Sequence, residues 1–345
     1  MLQNLLSHAC AREADTSFQR NVISIKNSMQ TYHIALCSNA AYVPYALVTM
    51  HSIMAHHQLE VDETFHFHLI TEQEIKGRND VQEFLATYPS AKLTTYIVDP
   101  KQYKQFDHPE YTLWTNIRAN LPQMLKDVDR LLYLDTDILV VGDLRSLFTL
   151  DLEGKYLAMV DEIFLRNRTD VTIPNYLTFP IYNAGVLLMD LAKLREINFT
   201  QQFWEKLNQM YHQLTSPDQD VINILWKDRI YALPQTYNVS SFLLTRPETY
   251  IPQYKEELKE CLWSPIIIHY ARCAPWYLDR PKHPYHQQWI DFNKSLKYPA
   301  PITYGTKNKW LSCKMWLKHL LQPSSRPMPI PLETLKKRWA EIPDA

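Results

Sequence analysis

The chain has 345 residues, 46% hydrophobic and 21% charged, enough for one large α/β core with an appended tail or a small second domain. Its 36 Lys/Arg almost balance 37 Asp/Glu, and a net charge of −1 gives no electrostatic reason for a nucleic-acid partner. There are five glycines, where roughly 24 would be expected at about 7% usage, so neither a Walker loop nor a Gly-x-Gly-x-x-Gly fingerprint can be assembled. A bound diphosphate would need another counter-charge, and a metal ion is the obvious one.

Residues 1–30 read as a polar, weakly helical extension with no continuous apolar run of the kind found in a signal peptide or membrane anchor. The run Ile34 to Cys37 predicts a buried strand, and residues 41–57 a helix. In TFHFHLIT, Phe65, Phe67 and Leu69 alternate with His66 and His68 at period two, which predicts a second strand; KLTTYIVD predicts a third after a charged helix. Strands alternating with helices point to βαβ units and a parallel sheet. Thr112 to Leu125 reads as one helix, and Leu131 to Leu134 as a buried strand running into Asp135 and Asp137. KYLAMVD and IYNAGVLLMDL are further strands, Phe199 to Leu214 an aromatic-rich helix, and SPIIIHYA a last short strand ending near His269. No segment reaches the roughly 18 uninterrupted apolar residues of a spanning helix, so a soluble or peripheral protein is expected. The five scattered cysteines (Cys10, Cys37, Cys261, Cys273 and Cys313) fit small apolar core positions in a reducing, cytoplasmic compartment. The expected division is an extension over 1–30, one domain over 31–295 and a tail over 296–345.

The densest chemistry is Asp135-Thr136-Asp137, flanked by Leu131, Leu132, Leu134 and by Ile138, Leu139, Val140, Val141. In an extended strand, side chains at i and i+2 share a face, so both carboxylates could enter one crevice at the carboxyl end of a parallel sheet. Two like charges at close range raise each other's pKa unless a cation lies between them. A hard divalent ion, completed by substrate phosphates, is the usual solution, and it would neutralise a diphosphate leaving group. The bland alternative is a solvated strand end. A haloacid-dehalogenase-type phosphatase also uses Asp-x-Asp, but near its N-terminus and followed by Thr or Val where this chain has Leu139.

Five ordered motifs add to this: HIALCSNAAYVPYALVTMHSI, RANLPQMLKDVDRLLYLDTDILV, YNAGVLLMDL, PDQDVIN and IHYARCAPW. On them, from about Ile34 to Trp276, the chain resembles glycosyltransferase family 8, which includes bacterial lipopolysaccharide α-galactosyl- and α-glucosyltransferases. The resemblance implies a GT-A type α/β fold: a single Rossmann-like, mixed but mostly parallel sheet flanked by helices. It implies a retaining transfer of galactose or glucose from a UDP-sugar to a saccharide or glycolipid acceptor such as lipopolysaccharide or lipooligosaccharide. By the same likeness, Asp135, Asp137 and His269 bind Mn²⁺, with Mg²⁺ the alternative; a nitrogen ligand favours manganese. Asn39, Tyr42, Arg118, Asp135, Thr136, Asn183 and Arg272 are implied on the donor side. Asp218 and Gln219 lie beside the anomeric carbon, and Asp161 lies towards the acceptor.

Two departures stand out. Asn39-Ala40-Ala41 replaces the acidic residue commonly set against uracil, and His269 to Trp276 lacks both the glycine and the phosphate-binding lysine, leaving Arg272 for the diphosphate. They give weight to an alternative, a non-catalytic sugar- or nucleotide-binding domain on the same fold. Self-glucosylation, as in the family's glycogenin branch, is a third reading. The tail holds eight Lys/Arg against three Asp/Glu from residue 301 onward, leaving 28 against 34 in the body. In KNKWLSCKMWLKHLL, Trp310, Cys313, Leu317, Leu320 and Leu321 share one helical face among lysines, and Lys336, Lys337 and Arg338 follow. This pattern fits peripheral attachment to an anionic membrane, and equally a helix docked on the domain.

Overall fold

The structure, a computed structural model, describes residues 29–106, 113–166, 173–245, 254–305, 314–315, 318, 321–322 and 328–341. Its frame is a seven-stranded sheet in which strand alternation feeds two cores. In β1 (Gln30–Cys37), Tyr32, Ile34 and Leu36 enter one apolar cluster while Ala35 and Cys37 enter another on the opposite face. In β2 (Glu63–Thr71), Phe65, Phe67 and Leu69 likewise oppose Ile70.

With β3 (Ala91–Ile97), β4 (Arg130–Leu134), β5 (Ile138–Val140), β6 (Leu157–Asp161), β7 (Tyr182–Asp190), β8 (Ile230–Leu233), β9 (Val239–Ser240) and β10 (Ile267–His269), the strands form two sheets. The large one has the order β3-β2-β1-β4-β7-β6-β8, and the small one β5-β10-β9. In the large sheet β7 runs antiparallel to both β4 and β6, and the other pairings are parallel. The expected mixed, mostly parallel GT-A type sheet flanked by helices is the observed one.

Helix Val43–Ala55 buries 11 of its 13 residues, the polar Thr49, His51 and Ser52 among them. Val43, Ala46, Leu47, Met50 and Ile53 face the large sheet, whereas Tyr45 and Val48 face a third core around the small sheet. The other face of the large sheet is covered by helices Leu191–Glu196, Phe199–Met210 and Pro217–Trp226 through Leu194, Phe203, Leu207 and Val221.

The structure corrects two expectations and adds two strands the sequence did not show. Asp135, Thr136 and Asp137 are not in a strand: β4 ends at Leu134 and the chain turns before entering β5 in the other sheet. The helix expected over Thr112 to Leu125 is two four-residue pieces, Trp114–Ile117 and Leu121–Met124, joined by a 3₁₀ turn at Arg118–Asn120. Pro122, at the start of the second piece, has no N–H to bond the Arg118 carbonyl, so the α-helical ladder is interrupted there. Strands β8 and β9 are too short, four and two residues, to leave a readable period.

Among the described residues, no helix is long and apolar enough to cross a membrane. Cys37, Cys261 and Cys273 are buried and free, while Cys10 and Cys313 lie outside the described residues. So do Trp310, Leu317 and Leu320 of the amphipathic tail segment. The helix Leu332–Glu341 docks on the domain: Leu335 and Trp339 enter the third core, and Trp339 Nε1 donates to the Leu244 carbonyl at 3.2 Å. Lys337 and Arg338 face outward. Trp339→Ala should therefore cost about 3–5 kcal/mol, the range for emptying a buried tryptophan site, read as a lower urea midpoint of the full chain.

Candidate active site at the turn after β4

The active-site candidate forms where the chain passes from one sheet to the other. β10 pairs antiparallel with β5, placing His269 opposite Ile138, and the Tyr270 N–H donates to the Asp137 carbonyl at 2.8 Å. His269 is thereby brought against the turn, although 131 residues of chain separate it from Ile138. Its Nε2 lies 3.3 Å from Asp137 Oδ1 and 3.8 Å from Asp135 Oδ2. One ligand atom from each of the three residues lies within 4.8 Å of the others. Gly185 in β7 makes the space: a Cβ there would fall 2.2 Å from His269 Cε1.

Arg118 closes the other side of Asp135. It is 2% exposed. Its Nη2 donates to Asp135 Oδ1 at 2.9 Å, its Nε is 3.2 Å from Asp218 Oδ2, and Nη1 donates to the Ala184 carbonyl. The guanidinium also stacks 4.3 Å over the Tyr133 ring, and the Tyr133 hydroxyl donates to Asp135 Oδ1 at 2.7 Å. Burial alone would disfavour the charge, but Asp135 and Asp218 more than offset it and hold Arg118 charged. Burial pushes the Asp218 carboxyl up to about 6 despite Arg118. Asp137 and His269 act on each other: burial opposes both charges, yet the imidazolium keeps Asp137 low and the carboxylates raise His269. With no cation, a proton on Nε2 bridges the two; a cation would replace that proton.

A chain of amides sets the imidazole. The Gly185 N–H donates to Asn183 Oδ1 at 2.9 Å, so the Asn183 amide nitrogen points the other way, to Glu162 Oε1 at 2.8 Å. Asn238 Nδ2 donates to the same Asn183 oxygen at 2.8 Å, which leaves Asn238 Oδ1 facing His269 Nδ1, also at 2.8 Å. That oxygen only accepts, so Nδ1 must carry a hydrogen, and Nε2, once its bridging proton is displaced, directs a lone pair at the two aspartates. The residues thus fit a metal ion: two carboxylates and an imidazole whose tautomer is fixed from behind. Gln219 joins the same network, its Oε1 accepting from Asn183 Nδ2 and the Ala184 N–H, both at 3.2 Å, and its Nε2 donating to Glu162 Oε2 at 3.3 Å.

These groups line a cleft of about 430 Å³, which also takes in Asn39, Tyr42, Thr136, Asp161, Asn183, Arg272 and Trp276. All the residues expected from the sequence are thus brought to one place, but their states differ. Asn39 spends its side-chain oxygen capping the turn at the Tyr42 N–H, 3.0 Å away. Tyr42 packs its edge on Trp276 and bonds the Tyr277 hydroxyl at 2.7 Å. The Thr136 carbonyl receives the Thr49 hydroxyl at 3.3 Å. Arg272 sits at φ +60°, the backbone form its glycine-less loop requires. Asp161 is paired with Arg166 and accepts the Ile181 N–H, so the carboxylate that meets Asn183 and Gln219 is its neighbour Glu162.

Sequence reasoning missed Glu162, Tyr133 and Asn238. Tyr133 had a signal, since it stands two residues before Asp135 on the run into the turn. Asn238 stands in a triplet, Asn238-Val239-Ser240, that gives no sign of a ligand-orienting role. Gly185→Ala should drive a methyl into His269 and destabilise the chain by about 1–3 kcal/mol, the usual overpacking cost, visible as a lower urea midpoint.

Residues 33–277 match the family model described as glycosyl transferase family 8, a span that holds the whole cleft. A putative glycosyltransferase of Haemophilus influenzae is 25% identical over 255 residues, covering 71% of this chain and 72% of the relative. Glycosyltransferase GlyF of Streptococcus pneumoniae is 30% identical over 177 residues, 51% of this chain and 40% of the relative. A lipopolysaccharide 1,2-glucosyltransferase of Escherichia coli K12 is 31% identical over 154 residues, 44% and 45% of the two. The chain therefore spans less than half the length of the last two. Among solved structures, galactosyltransferase LgtC in complex with donor and acceptor sugar analogs superposes with a TM-score of 0.63 at 21% identity, over 77% of this chain and 96% of that one, a likeness of fold. With the match laid over the carboxylates, amides and imidazole of the cleft, the chain belongs to glycosyltransferase family 8.

Proposed function

We propose that this glycosyltransferase is a retaining hexosyltransferase that moves galactose or glucose from a UDP-sugar to a saccharide, in the setting of lipopolysaccharide or lipooligosaccharide assembly. The observation that carries the reading is the convergence of Asp135, Asp137 and the inward-directed Nε2 of His269 within the family-matched segment. These three would hold the divalent ion, Mn²⁺ in preference to Mg²⁺ because one donor is nitrogen. When bound, such an ion neutralises charge that builds on a diphosphate leaving group.

The chain's own residues supply the rest. Arg118, fixed between Asp135 and Asp218, holds both carboxylates in place behind the donor. Asn39, Tyr42, Thr136, Asn183 and Arg272 form the donor wall, with Arg272 in the phosphate role a lysine usually takes. Asp218 orients donor hydroxyls, and Gln219 is the side chain nearest the anomeric carbon. An amide oxygen already accepting two hydrogen bonds is a poor nucleophile, which supports front-face substitution over a covalent intermediate. Glu162 and Asp161 lie on the acceptor side. All of these fall within residues 31–295, and the basic tail over 296–345 would bring a cytoplasmic enzyme to a glycolipid acceptor at an anionic membrane surface.

The test is thermal stability of the full chain with UDP, UDP-galactose, UDP-glucose or UDP-N-acetylglucosamine, in Mn²⁺ or in EDTA. One UDP-sugar should raise the melting temperature only with Mn²⁺; a ligand at a hundred times its Kd adds about 2.7 kcal/mol. Asp137→Ala should abolish that rise and the metal-dependent transfer while the unliganded protein stays folded. A rise that persists in Asp137→Ala would sink the metal assignment, and no rise with any UDP compound would sink the donor assignment. Asn238→Ala should weaken Mn²⁺ binding about ten- to a hundredfold, as loss of a ligand-orienting partner does, measured by titration calorimetry.

A further inference from the structure

A second cluster of possible ligands lies outside the cleft, on the middle of β1 and β2. The parallel register sets His33 opposite His66 and Ala35 opposite His68. The three imidazoles share the sheet face turned away from Phe65 and Phe67. His33 Nδ1 and His68 Nε2 are 2.9 Å apart, and the His66 and His68 rings stack at 4.2 Å. One ring nitrogen from each of the three lies within 4.8 Å of the others. The catalytic reading makes no use of this group.

We propose that His33, His66 and His68 form a second metal site, selective for a borderline transition metal such as zinc and separate from the Asp135–Asp137–His269 centre. The donor set is the first reason. Three imidazoles without a carboxylate suit zinc, nickel or copper and offer little to Mg²⁺ or Mn²⁺, which favour oxygen. The second is the support around them: His66 Nε2 contacts Thr94 Oγ1 at 2.8 Å, and His68 Nδ1 contacts the Tyr96 hydroxyl at 3.1 Å. Both partners come from β3 and fix the rings, as outer partners of metal-bound histidines do.

The spacing is the third reason. Two nitrogens each about 2.0–2.1 Å from one zinc ion stand roughly 3.3 Å apart at a tetrahedral angle, so the His33–His68 pair has to open by only a few tenths of an ångström. A zinc ion would replace the single proton these two nitrogens now share, with water completing the fourth position. The rings are also ready as lone-pair donors. Burial, helped by neighbouring imidazoles and Lys92, lowers His33 to about 4 and His68 to about 3 and lowers His66 as well, so all three are neutral at neutral pH.

The experiment uses untagged, chelator-treated full chain carrying Asp137→Ala, the variant expected to stay folded, so that the first centre does not report. Calorimetric titration with zinc alone should give one equivalent bound. Adding His33→Gln and His66→Gln, at the two partly exposed positions, should weaken that binding at least about a hundredfold while the melting temperature in EDTA is unchanged. No zinc uptake by the first protein, or undiminished uptake by the second, overturns the site. If the histidine variant does not fold, zinc-edge X-ray absorption on the first protein decides: three imidazole ligands support the proposal, and fewer than three overturn it.

Discussion

The buried guanidinium of Arg118 is the interaction on which the cleft depends. A cation with 2% exposure is tolerable only if it is paired, and Asp135 from the turn and Asp218 from the following helix are both committed to it. Because Tyr133 stacks on the same group and the Ala184 carbonyl accepts from it, one side chain ties β4, β7 and helix Pro217–Trp226 together. Removing one partner of such a buried pair typically costs about 3–5 kcal/mol, so the charge pattern is both part of the fold and the electrostatic floor of the site.

A second constraint is backbone pairing between the sheets. If β5 continued β4, Asp135 and Asp137 would stay in the large sheet and His269 would be remote. Instead the chain leaves one sheet and enters the other, and the β5–β10 ladder delivers the histidine. The amides then settle which nitrogen faces inward: Gly185 orients Asn183, Asn183 orients Asn238, and Asn238 orients His269. Gly185 serves twice, since its lack of a side chain also makes room for the imidazole ring.

The same division of labour explains the tail. Its lysines are visible in the sequence, but only the structure shows that Leu335 and Trp339 of helix Leu332–Glu341 dock into the core around the small sheet. Lys337 and Arg338 are on the outside together with Glu333 and Glu341.

The sequence by itself determined the α/β class and the positions of β1 to β4, because period-two alternation and unbroken apolar runs are local properties. It also marked the aspartate pair, because charges set between Leu134 and Ile138 conflict with a buried environment unless something neutralises them. Ordered motifs carried Asn183, Asp218, Gln219 and His269 into one candidate list. Only the tertiary structure decided that the aspartates occupy a turn between sheets, that Arg118 is a buried counter-ion and not a surface arginine, and that Glu162 takes the amide contacts while Asp161 pairs with Arg166. It alone found Asn238, whose partners lie 31 and 55 residues away. Those outcomes rest on long-range pairing and hydrogen-bond direction, which no local pattern encodes.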